Sequence, residues 1–209
     1  MLHFFVPYRR TSAIQERLDA KQSAILRAAT TLLAERGYQG LSMASVAAAA
    51  GIATGSVYSH FADKSALVTA IFRVAVDREL TAVTDAASQS ATQAERVTAI
   101  VETFAGRAMK NPKLAYALLA EPVDAEVEAE RLIFRRTFAE IFEGAIAGGI
   151  AAGRIVPQDP RVTAAALVGA IAEVLIGPLS ARPYSDSVIP ELVAFTLRSL
   201  GVAGVDPQR

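Results

Sequence analysis

Small and aliphatic side chains recur at three- and four-residue spacing through most of this chain, and breaks rich in glycine and proline cut the pattern into helix-length segments. That period keeps one face of a helix apolar, whereas a half-buried strand needs strict alternation. Alanine, the strongest helix former, is abundant, and runs of β-branched residues are few. The chain is therefore expected to be all-α, and its 209 residues suffice to bury a sizeable core.

The breaks predict the elements. A first helix over residues 18–35 places Ile25, Ala28, Ala29, Leu32 and Leu33 on one face, with Gly37 as its stop. Ser42 caps a short second helix, Leu41 is positioned to staple onto Val46, and Gly51 ends the helix. A further short helix follows over 54–61, and Asp63 caps a fourth over 64–87. Beyond it, helices are expected over 91–110, 111–120, 124–152, 160–181 and 185–200. Asp124 and Asp159 stand as N-caps, and Pro160 suits a first helical position. Pro178 and Pro190 lie inside the last two stretches, where each should kink or end the helix. The organisation reads as an arm over 1–17, a three-helix N-terminal domain over 18–73 and a larger helical domain over 74–209, with the boundary inside the fourth helix near Arg73.

Composition closes off several chemistries. Without cysteine there is no disulfide, zinc–thiolate site or thiol nucleophile, and the only histidines, His3 and His60, make no metal cluster. No phosphate-binding glycine loop and no nucleophile–base pair is present, so neither an enzyme nor a cofactor or metal is expected. Residues 1–73 carry eight Lys and Arg against four Asp and Glu in a chain that is neutral overall, so a basic end faces an acidic body. A polyanion is the partner such a basic end suits. The most apolar stretch, 164–179, is interrupted by Glu173 and Pro178 and falls short of the roughly 20 residues a membrane span needs. The apolar opening residues are followed by Arg9-Arg10, not preceded by a basic segment as in a signal peptide. A cytoplasmic protein with no membrane partner is the expectation.

Two short helices joined by a tight glycine turn, after a longer helix, form a helix-turn-helix arrangement. In the segment 51–64, Ile52, Val57 and Phe61 can hold the short helix down, leaving Thr54, Gly55, Ser56, Tyr58, Ser59 and His60 outward. Small hydroxyl residues and a glycine let backbone approach a duplex closely. Tyr58 and His60 can donate to phosphate oxygens, and Lys64 supplies a charge; packing between helices is the alternative, and it suits Phe61 best. The run Leu41-Ser42, Val46-Ala47, Gly51-Ile52, Gly55-Ser56-Val57-Tyr58, His60-Phe61, Lys64 and Leu67, with its spacing, resembles the DNA-binding domain of the TetR family. The resemblance implies that Ser42 and Tyr58 touch phosphates, with His60 and Lys64 beside them, while Thr54, Gly55, Ser56 and Ser59 face the major groove. Ala53 departs from the family pattern, where a capping serine is common, so the cap either weakens or passes to Thr54. The resemblance further implies a homodimeric repressor, released from a palindromic double-stranded DNA operator by a small-molecule effector.

Arg9 and Arg10 leave two readings, a minor-groove arm or a solvated tail. In the body, Arg131 stands in a row with Val127, Phe134, Phe138, Ile141 and Ala145, Arg107 stands beside Ile100 and Phe104, and Glu173 is the only charge between Val162 and Ala181. A charge buried without a partner is costly, so each should face either a pocket or a salt bridge. On the pocket reading Phe104, Met109, Tyr116 and Phe134 are walls, and Arg107, Arg131 or Glu173 fixes a polar end of the ligand; for Glu173 the salt bridge is the stronger reading. Small residues (Ala166, Gly169, Ala170, Ala172, Gly177) and the stripe Val188, Leu192, Phe195, Leu200 make the last two helices the expected dimer surface.

Overall fold

A computed structural model describes residues 12–180 and 187–202; the expected arm around Arg9 and Arg10 lies outside the described residues. Among the described residues there are nine helices and no strand: α1 (Ser12–Arg36), α2 (Met43–Ala50), α3 (Thr54–Tyr58), α4 (Lys64–Ser88), α5 (Gln93–Lys110), α6 (Pro112–Leu119), α7 (Ala125–Ala151), α8 (Pro160–Leu179) and α9 (Val188–Ser199). The all-α expectation holds. Helix α1 takes in residues 12–17, which were expected in an arm. Ala13, Gln15, Glu16 and Arg17 are good helix formers without an apolar stripe, so they propagate a helix and leave no periodic signal.

The helix ends follow local chemistry. Gly37 takes the left-handed conformation (φ 68°), and a side chain there would also strike the Glu121 carboxylate. Ser42 caps α2 in a reciprocal box with Ser45, accepting its N–H at 3.1 Å, and Gly51 closes the helix at φ 67°. Asp63 accepts from the Ala66 N–H at 2.8 Å, and Asp159 accepts from Arg161 and Val162. Thr92 and Glu95 form a second capping box, on α5. Asp124 holds the N-cap position of α7 without capping it, because its carboxylate receives the Tyr38 hydroxyl instead. Pro190 neither kinks nor ends α9: it is the third residue of the helix, where no intrahelical acceptor is lost. Pro178 stays inside α8, one residue before its end.

The core divides within α4. Its Leu67, Val68 and Ile71 join Ile25, Leu33, Leu41, Val46 and Val57 of the first three helices, while its Phe72 and Val83 join the cluster of α5, α7, α8 and α9. Within that second cluster Phe104, Phe134, Phe138 and Phe142 stack in sequence, with Phe104 and Phe138 centroids 4.7 Å apart. The body also lends Ala117 of α6 and Val127 of α7 to the N-terminal cluster, with α6 packed on α1 and α7 on α4. One helix among the described residues, α8, is long and apolar enough to cross a membrane by length and composition, because it adds residues 160–163 to the apolar stretch 164–179 that alone fell short. Its Ala164, Leu167, Ile171 and Leu175 are core residues packed toward α7, while Val162 and Val174 on its other side stay exposed.

Candidate nucleic-acid interface and ligand cavity

Val57 is fully buried and Phe61 nearly so, which pins α3 against α2 and α1 and turns its other side outward. Thr54, Gly55, Tyr58 and Ser59 are exposed, Tyr58 at 52%, whereas Ser56 and His60 are half-buried. Ala53 occupies the N-cap and has no side chain that can accept, and Thr54 is the first helical residue, not the cap. Ser42 is exposed at the start of α2, its hydroxyl engaged with Ser45. Lys64 is drawn inward: its ammonium lies 4.1 Å from the Tyr38 ring centroid and donates to the Tyr38 carbonyl at 3.3 Å.

Tyr38 was not singled out in the sequence, yet it joins the two parts of the molecule. Its backbone N–H donates to Glu121 at 2.9 Å and its hydroxyl to Asp124, both in the corner between α6 and α7. Burial, reinforced by the Asp124 carboxylate, pushes its hydroxyl pKa well above the ordinary tyrosine value. Ser65 with Glu126, and Arg73 with Glu130, extend the seam along α4 and α7. The only hint in the sequence was an aromatic directly after a helix-stopping glycine.

A cavity of about 100 Å³ lies where α4, α5, α6 and α7 meet. Phe72, Val76, Phe104, Leu118 and Phe134 supply apolar wall, and Glu79, Arg107 and Asn111 are its polar members. Phe104, Arg107 and Phe134 therefore come together as the pocket reading required, while Tyr116, Met109 and Arg131 are not among its walls. Arg107 is held by both carboxylate oxygens of Glu79, at 2.7 and 3.0 Å, a pairing that raises its pKa.

Arg131 is buried for a different purpose. Its guanidinium donates to the carbonyls of Leu118 and Glu121, each at 2.8 Å, and pairs with Glu128, so it closes the end of α6 and the following corner. Glu173 faces neither cavity nor salt bridge. With Ile171 and Leu175 turned inward, Glu173 is carried to the exposed side of α8 beside Gly169 and Ala166, and it forms no ion pair among the described residues. Of the expected sticky stripe, Leu192 and Leu200 are spent on the chain's own core. Phe195, with Val162 and Val174 on α8, remains exposed.

Residues 25–71 match the family described as bacterial regulatory proteins of the tetR family, and residues 90–175 match the tetracyclin repressor-like C-terminal domain; together they span more than half of the chain. The fatty acid metabolism regulator protein of Bacillus subtilis (strain 168) is 23% identical over 73% of this chain and 80% of its own length. Two solved structures share the fold. The transcriptional regulator FadR from Bacillus subtilis, in complex with stearoyl-CoA, aligns with TM-score 0.72 and 22% identity over 88% of this chain and 98% of that one. AibR, in complex with isovaleryl coenzyme A and operator DNA, aligns with TM-score 0.65 and 21% identity over 84% of this chain and 97% of that one.

Proposed function

The chain belongs to the TetR family of bacterial regulatory proteins, and from that premise we propose that it is a dimeric repressor that leaves its DNA operator when a small molecule with an apolar tail fills the cavity. In this reading the DNA-binding unit runs to about Arg73. Thr54, Gly55, Ser56 and Ser59 face the major groove, Ser42, Tyr58 and His60 touch phosphate, and Lys64 supplies charge beside them from its seat on Tyr38. The observation that carries it is Gly55. A methyl group added there would meet nothing within 4 Å, and its φ is not positive. Glycine costs up to about 1 kcal/mol relative to alanine in a helix, less in a first turn such as this one, and the close approach of a duplex gives its use a reason.

The cavity supports the second half of the proposal. Its volume of about 100 Å³ is of the order that holds a benzene-sized group and is far below what a long acyl chain requires. Two proteins of this fold were solved with acyl thioesters bound, and a short or branched acyl group matches this cavity better than a long one. Gly55→Ala tests the DNA half. We expect a higher melting temperature together with weaker binding to an operator selected from genomic fragments, the operator being an imperfect palindrome with half-sites about 10 bp apart or a multiple of that. Undiminished operator affinity in Gly55→Ala would remove α3 from the duplex.

A further inference from the structure

The cavity does not end at Arg107. A second hollow of about 260 Å³ shares Ala75, Glu79, Arg107, Asn111 and Leu114 with it and is walled by Thr30 of α1, Arg78 of α4 and Lys110 of α5. The Arg107–Glu79 pair thus stands in the wall common to an inner apolar space and an outer polar groove. Resting on the reading of the cavity as an effector site, we infer that the groove between α1, α4 and α5 is a separate subsite for a polyanionic head, a nucleotide-type polyphosphate, carried by the same molecule.

Charge carries this inference. Among the described residues Arg107 is the only cation of the cavity, and it already has a carboxylate on two of its nitrogens. A ligand ending in a single carboxylate would only replace Glu79 and gain little. Arg78 and Lys110, by contrast, form no ion pair among the described residues, and with Arg107 they give the groove three cations against Glu79 alone. A head with several charges is the chemistry such a groove fits. On the far side of Arg78 a shallower hollow carries Asp77 and Asp85, which repel an anion and confine the head to the side of Lys110 and Thr30. That side joins α1, which carries the helix-turn-helix, to α5 of the body. Whatever binds there is linked to the relative placement of the two, and the linkage is reciprocal with DNA binding.

The test compares isovaleryl-CoA, free CoA and isovalerate on the full chain by calorimetry, with wild type and the double variant Arg78→Ala/Lys110→Ala. The subsite predicts that isovaleryl-CoA binds more tightly than isovalerate, that salt weakens only the two CoA compounds, and that the double variant loses about tenfold per removed cation for both of them. Isovalerate affinity and melting temperature should not change, since both side chains are exposed. Equal affinity of thioester and acid, or full thioester affinity in the double variant, overturns the subsite and leaves the cavity reading standing. Failure of thioester and acid alike to bind overturns the cavity reading and the subsite with it.

Discussion

The guanidinium of Arg131 satisfies the carbonyls of Leu118 and Glu121, one in the last turn of α6 and one just beyond it, where no helical N–H reaches. That of Arg107 holds Glu79 in a pair that water still reaches, with 40% and 28% of the two side chains exposed. Replacing each by methionine should therefore have unlike effects. Arg131→Met strands two carbonyls in a place with little water and should cost about 2–4 kcal/mol in chemical denaturation. Arg107→Met, at a solvated pair, should cost less than about 1 kcal/mol. Equal losses would mean that Arg131 does not hold the corner. Burial lowers the pKa of Arg131 and Glu128 opposes the shift. In sequence the two arginines looked alike, each beside apolar residues on a helical face. What separates them is which carbonyls and carboxylates lie opposite, and those come from segments 10 to 28 residues away. By contrast Gly37, Ser42, Gly51, Asp63 and Asp159 were legible because each acts on backbone within a few residues of itself.

At the scale of elements, the turn after α1 is gripped by the corner between α6 and α7, through Tyr38 with Glu121 and Asp124. Leu118 and Leu119, at the end of α6, are also cavity wall, so a ligand that displaces them moves the same corner that holds the helix-turn-helix. Tyr38 makes this grip measurable. Its pKa is raised above 10 in the folded chain, chiefly by burial, so folding favours the protonated phenol. The stabilisation is fully present below about pH 10 and is lost as pH rises beyond that value toward the folded pKa. Wild-type stability should therefore fall on the alkaline limb, and Tyr38→Phe should flatten that limb while losing about 1–3 kcal/mol at neutral pH, because Asp124 no longer receives its hydrogen bond. An unchanged alkaline limb in Tyr38→Phe would show that the phenol is not held as described. Although α1 starts six residues earlier than expected and α3 ends three residues earlier, at Tyr58, with Phe61 in the loop beyond it, the order of the helices was readable from period and breaks. This grip was not, since it joins residues 83 and 86 positions apart and takes Asp124 away from the cap its sequence context offered.

At the scale of the whole molecule, one side of α8 is left without cover among the described residues. Val162 is 65% exposed and Val174 41%, with Ala165, Ala166 and Gly169 exposed between them, and Phe195 of α9 is 43% exposed. A reader of a palindrome must present two recognition helices related by a two-fold axis, and a close-packed pair of helices from two chains is one way to hold them. Gly169 offers the cleanest probe of that arrangement. A Cβ added there meets nothing within 4 Å among the described residues of its own chain, and leaving glycine should favour the helix. Against a partner helix packed on this face, the same side chain has nowhere to go. Gly169→Arg is therefore expected to keep its helical circular dichroism yet sediment as a monomer at micromolar concentration. Losing the tethered second recognition helix should reduce operator affinity by about 100-fold or more, since the gain from joining two sites is of that order. A Gly169→Arg protein that stays dimeric and binds its operator at full strength would place the two-fold axis elsewhere and leave the open face of α8 unexplained by self-association.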